Sequence, residues 1–146
     1  MPTLYSDVTN QFIGMVTEYR FFELLKEDRE EWLTDLLKVA CAKFRKICRH
    51  DLSDRDDNAR TFNVELDDDE IDILCNLMIC EWLKPKLFSV DNLEQVLNTK
   101  DYSEYSPANL LKEISSVYKE HRINAKALQN NYSFSFQDIN DAIQNQ

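Results

Sequence analysis

An all-α fold, a bundle of four to five helices with an extended aromatic C-terminal tail, is predicted by three observations. Glycine occurs once, at Gly14, and proline three times, whereas strand-rich folds need many tight turns and hence Gly, Asn and Pro. Apolar residues recur at steps of three and four over long stretches, the period of a helix face. An apolar fraction of 43%, with eight Phe, six Tyr and two Trp, is enough for one real core in a chain of 146 residues.

Near the start, Ser6 or Asp7 suits an N-cap for a short helix through Phe12 and Ile13 that ends at Gly14. An amphipathic stretch follows around Phe21, Phe22, Leu24 and Leu25. Glu27, Asp28, Glu30 and Glu31 then open a long helix, where acids match the positive end of the dipole. Its stripe is Leu33, Leu36, Leu37, Ala40, Phe44 and Ile47, and its last turns hold Lys43, Arg45, Lys46 and Arg49. From His50 to Leu66 the chain reads as a polar loop with a short extended piece at Thr61 to Val64.

Asp67 and Glu70 form an Asp-x-x-Glu capping pattern ahead of Ile71 to Leu83, a stretch apolar at ten of thirteen positions. A helix hydrophobic nearly all round belongs in the middle of a bundle or in a packed oligomer. Pro85 is expected to end or kink it near Leu83. A shorter helix is expected over Val90 to Leu97, and Ser106 with Pro107 starts another long one. Leu110, Leu111, Ile114, Val117, Tyr118, His121, Ala125 and Leu128 share its apolar face. The expected core contains Leu36, Leu37, Ala40, Phe44, Leu74, Leu77, Met78, Leu111, Ile114 and Tyr118.

At Asn130-Asn131 the helical pattern is interrupted, and Tyr132, Phe134 and Phe136 alternate with Ser133 and Ser135, a period of two. Two parts are therefore expected: a helical bundle over residues 1–128 and a docking tail over 129–146, with Tyr132, Phe134, Phe136 and Ile139 as partner-docking candidates. A terminus that packs back on its own bundle is the alternative.

The net charge of −10 has one source. Residues 51–72 carry ten acids against Arg55 and Arg60, so −8 of it sits in one window. No signal peptide or membrane span is expected, since the first apolar residues are interrupted by Asp7, Asn10 and Gln11. Cys41, Cys48, Cys75 and Cys80 fall in helical stretches, which favours thiols in a reducing compartment over a disulfide framework. The acids from Asp54 to Asn58 lack the Gly that a calcium loop needs at its turn. Zinc spacing is absent too: the cysteine pairs are seven and five apart, and Cys48 with His50 is the only close Cys/His pair. No nucleophile–base signature or phosphate-cradling Gly loop occurs, so neither an enzyme nor a cofactor is expected. Specific nucleic-acid binding is disfavoured by the acidic charge; the basic run from Lys38 to Arg49 is the C-terminal end of a helix.

Three strings carry a family likeness. The runs LDDDEIDILCNLMICEWLKPKL (66–87), YSPANLLKEI (105–114) and NNYSF (130–134) resemble, in order and spacing, small neck proteins of tailed bacteriophages of Gram-positive hosts, the head–tail connectors or adaptors. The likeness covers about residues 30–134, and the N-terminal region matches less well. It implies a helical-bundle protomer, made in the host cytoplasm and built into the virion neck as a homo-oligomeric ring of about twelve copies. The implied partners are the portal protein and a downstream neck or tail protein. DNA passes through the ring without being specifically bound. The localised charge suits the wall of such a passage, making Asp54, Asp56, Asp57, Asp67 and Asp68 the candidates to face the channel. The rival readings are an acidic DNA mimic and a small cytoplasmic helical regulator of a host or phage protein.

Overall fold

A computed structural model describes residues 1–17, 29–87 and 107–144, with side chains as far as Ser135. Four helices are present among the described residues: α1 (Tyr5–Val16), α2 (Arg29–Phe44), α3 (Asp68–Leu87) and α4 (Pro107–Gln144). A small antiparallel hairpin, β1 (Arg55–Asp56) with β2 (Thr61–Phe62), stands between α2 and α3. The stretch around Phe21 to Leu25, the helix expected over Val90 to Leu97 and the Ser106 cap lie outside the described residues.

α3 is central, as its nearly all-apolar sequence requires, and it touches each of the other three helices. Every residue from Ile73 to Cys80 is buried, including Asn76. Leu36, Leu37, Ala40, Phe44, Leu74, Leu77, Met78 and Ile114 are buried as expected, whereas Leu111 and Tyr118 pack half-buried at the edge. Truncating Leu77 to Ala is expected to cost roughly 2–5 kcal/mol in a denaturant titration. A loss under about half a kcal/mol would place that side chain at the surface.

Buried Asn76 is held by both neighbours. Its amide donates to the Asp72 carbonyl (2.9 Å), and its carbonyl oxygen accepts from His121 Nδ1 on α4 (2.9 Å). Burial lowers the His121 pKa, which keeps the ring neutral with one N–H to donate.

Several local expectations are corrected. Helix α1 starts at Tyr5 with Leu4 as its cap, and Asp7 contributes by accepting from the Leu4 N–H (2.9 Å). It also runs through Gly14 to Val16, because Phe12 and Val16 are both fully buried and hold the next turn. Gly14 is exposed, and a Cβ there would meet nothing within 4 Å, so what remains is the general cost of Gly in a helix, about 1 kcal/mol. α3 likewise continues through Pro85 to Leu87; Pro85 is exposed, where its missing N–H is less serious than in a core.

The last correction is larger. α4 is one helix from Pro107 to Gln144, unbroken at Asn130-Asn131, so the extended tail expected over 129–146 is helical through Gln144. Tyr132 lies four residues beyond Leu128, in step with Ile114, Val117, His121 and Ala125, and it is buried. The helical period prevails over the five-residue alternation because a buried anchor holds the register.

Candidate functional site

The acidic window 51–72 folds back on the N-terminus. The four-residue turn Asp57–Arg60 closes the hairpin, with Arg55 opposite Phe62 and Asp56 opposite Thr61. Arg60 takes a left-handed backbone (φ 55°) that ordinarily favours Gly or Asn. Its carbonyl accepts from the Tyr5 N–H (3.0 Å) and its guanidinium pairs with Glu30 (2.9 Å). Thr3 pairs with β2 through the Phe62 N–H (2.8 Å), and its hydroxyl accepts from the Leu66 N–H (2.8 Å). Fully buried Phe62, with the Tyr5 ring 4.9 Å away, pins the hairpin to the body.

Around that anchor the carboxylates stay at the surface. Asp54 accepts from the Asn63 amide (2.9 Å), and Asp56 accepts from the N–H groups of Asn58 and Ala59, shaping the turn. Asp57 accepts from the Tyr5 hydroxyl (2.5 Å) and pairs with Arg55 and Lys38. The Tyr5 bond, then those two cations, hold its pKa below the usual carboxylate range, while burial and Asp57 push the Tyr5 phenol up. Asp68 is exposed in the first turn of α3, and Asp67 is half-buried, pairing with Arg49 (3.2 Å). Asp54, Asp56 and Asp57 thus share one hairpin, while Asp67 and Asp68 belong to the entry of α3.

Beneath that entry lies a polar cluster which the sequence shows only as a cap. Asp67 and Glu70 cap each other as expected, through Glu70 N–H to Asp67 (2.8 Å) and Asp67 N–H to Glu70 (2.9 Å). Glu70 is also completely buried, and three more donors converge on it: His50 Nδ1 (2.8 Å), the Tyr132 hydroxyl (2.8 Å) and the Cys48 thiol (3.1 Å). The Tyr132 oxygen in turn accepts from the Arg49 N–H (2.8 Å). One carboxylate therefore ties the segment that follows α2, the start of α3 and the far part of α4 together. Burial alone would raise the Glu70 pKa, but the bonds from Asp67, Cys48, His50 and Tyr132 outweigh it and hold the acid below its ordinary value. In the sequence only the closeness of Cys48 to His50 hints at this cluster; His50 and Tyr132 stand 20 and 62 residues from Glu70 and meet it only through the fold.

This cluster is not arranged as a nucleophilic triad. The Cys48 thiol donates to the carboxylate, and burial followed by that bond pushes it up to about 12, away from the reactive thiolate. Burial likewise raises Cys75 to about 12 and Cys41 and Cys80 to about 11. All four cysteines are unpaired in the fold. Alkylation at pH 8 is accordingly expected to run roughly a hundredfold or more slower in the native protein than in denaturant. Equal rates would show the thiols to be open. Among the described residues no three His, Cys, Asp or Glu side chains are placed to share a metal ion, and no helix is long and apolar enough to cross a membrane.

The docking candidates separate. Tyr132 faces the protein's own core, with its ring 5.3 Å from that of Phe44, whereas Phe134 is 62% exposed. Phe136 and Ile139 lie on the helical backbone of α4, and their side chains are outside the described residues. The class defined by these features is a helical protein with an anchored acidic hairpin at its surface. No protein-family model, no curated protein and no solved structure matches the chain.

Proposed function

We propose that the protein is a structural neck component of a tailed bacteriophage, forming a ring between portal and tail that extends the DNA channel. The observation that carries this reading is the hairpin, which buries Phe62 while leaving Asp54, Asp56 and Asp57 at the surface. A surface that carries fixed negative charge and few phosphate-binding devices repels DNA at short range, as a passage wall must. At ~0.15 M salt this repulsion decays over about 8 Å, so it serves that purpose only where the acids are near the wall.

The three family-like strings also converge in space. The first supplies the buried heart of α3, the second supplies Leu110 and Ile114, and the third supplies Tyr132, which bonds to Glu70 of the first. What the strings share is thus a packing scheme, as suits a scaffold whose work is assembly. The DNA-mimic reading draws less support, since Asp51, Asp54, Asp56 and Asp57 are each engaged in shaping or anchoring the hairpin.

Affinity capture from cells producing phage particles separates the readings. Recovery of a portal or tail-neck protein is the expected result. Recovery of a nuclease or repressor in its place would favour the mimic and remove the neck assignment.

A further inference from the structure

At the other end of α3 the charge has the opposite sign. An open groove of about 460 Å³ lies between the last turns of α2, the second half of α3 and the middle of α4. Lys43, Lys84, Arg122 and Lys126 line it, and among the described residues Glu81 is its one carboxylate. Glu81 is already paired with Lys43 (3.0 Å) and is only 16% exposed. Arg122 and Lys126 are exposed, and Lys84 is half-buried. A chain of net charge −10 therefore carries a local basic groove over a floor that includes Leu77 and Ala125.

We propose that this groove receives the acidic entry of α3, around Asp68 and Asp69, from a second copy of the chain. Both acids are exposed, with Glu65 beside them 72% exposed. Lys84 is beyond their reach within one copy: sixteen residues of helix separate it from Asp68, about 24 Å at 1.5 Å per residue. For that lysine an acidic complement from this chain comes from another copy. Joining one end of a copy to the opposite end of the next is a heterologous contact, the kind that closes into rings. This deepens the neck reading and rests on it. The hairpin acids Asp54, Asp56 and Asp57 take no part and remain available to the passage.

Net repulsion between copies does not forbid the contact. Beyond about 8 Å it is screened at physiological salt, while the facing charges meet at contact distance. Exposed ion pairs contribute little individually, so the contact is weak in dilute solution and forms at high local concentration.

The test uses the full chain at high concentration, as an equal mixture of ¹⁴N- and ¹⁵N-labelled protein, joined by a zero-length carbodiimide. Mixed-isotope cross-links from Asp68 or Asp69 to Lys84 or Lys126 are the expected products. Arg122→Glu removes no cross-linking lysine and Asp68→Arg leaves Asp69, yet each is expected to lower that yield about threefold or more as an attractive contact becomes a repulsive one. The combined variant, with both charges exchanged, should recover it. Circular dichroism on each variant shows whether the helices are retained. Absence of these cross-links, or an unchanged yield in folded Arg122→Glu, would overturn the proposal. So would protection of Lys84 and Lys126 from amine labelling by added duplex DNA, which would assign the groove to nucleic acid. Rings seen on a portal but cross-linked through other faces would sink this contact and keep the neck reading. The expected cross-links in a protein that never joins a portal would do the reverse.

Discussion

Replacing Glu70 by Ala is expected to remove about 3–5 kcal/mol of stability, because a buried, multiply hydrogen-bonded charge is lost and its donors are stranded. The Asp67 N–H, His50, Tyr132 and Cys48 all point at that one carboxylate. Glu70→Gln keeps the shape but sets an amide N–H against other donors, so it is expected to fall between wild type and Ala. The denaturant midpoint should move with little change in slope. A loss below about 1 kcal/mol for Ala would mean that water satisfies the donors.

The pH dependence follows from the direction of the shifts. Because the folded pKa of Glu70 is depressed from 4.5, its contribution is complete above that value and is lost as pH falls through the folded pKa. His121 is also depressed, from 6.5, by burial. The unfolded chain therefore takes up its proton first, and stability declines as pH drops from about 6.5 towards the folded value. Two declines are expected on acidification, and the lower one should be smaller in Glu70→Gln, where Asp51 and Asp57, also held below the usual carboxylate range, supply what is left. A lower decline of the same size in wild type and the Gln variant would separate Glu70 from acid stability.

Ending the chain after Leu128 is expected to be nearly as damaging. It removes Tyr132, whose ring packs on Phe44 and whose hydroxyl links the Arg49 N–H to Glu70. Loss of a buried aromatic costs about 3–5 kcal/mol, a large share of the 5–15 kcal/mol that stabilises an ordinary domain. A chain ending after Ser135 keeps those contacts and is expected to be the more stable of the two truncated chains. Tyr132→Phe isolates the hydroxyl at about 1–3 kcal/mol. Equal stability of the two truncated chains would show that Tyr132 anchors nothing.

These two experiments mark where the sequence was readable. The stripe from Leu33 to Phe44 and the capping pair Asp67–Glu70 were legible because each is a local regularity: a helical period and a reciprocal bond three residues long. The all-apolar run behind Glu70 named the central helix for the same reason. The convergence on Glu70 was not legible, since Cys48, His50 and Tyr132 meet it only once α2, α3 and α4 have packed. Tyr132 misled for a related cause. Its alternation with Ser133 and Phe134 fits a strand over five residues, while its place on the stripe from Ile114 needs about five turns of helix to be seen. Asn130 and Asn131 are poor helix formers, but both are exposed, and their cost is well under 1 kcal/mol each. The basic groove was hidden as well, because Lys43, Lys84, Arg122 and Lys126 lie on three helices, each amid ordinary surface charge.

Electron cryo-microscopy of the protein bound to its portal tests the assignment most directly. The expected image is a ring coaxial with the portal, with the hairpin carrying Asp54, Asp56 and Asp57 turned towards the central passage. Absence of any ring on the portal, or a ring whose hairpins lie on its outer surface, would contradict the account.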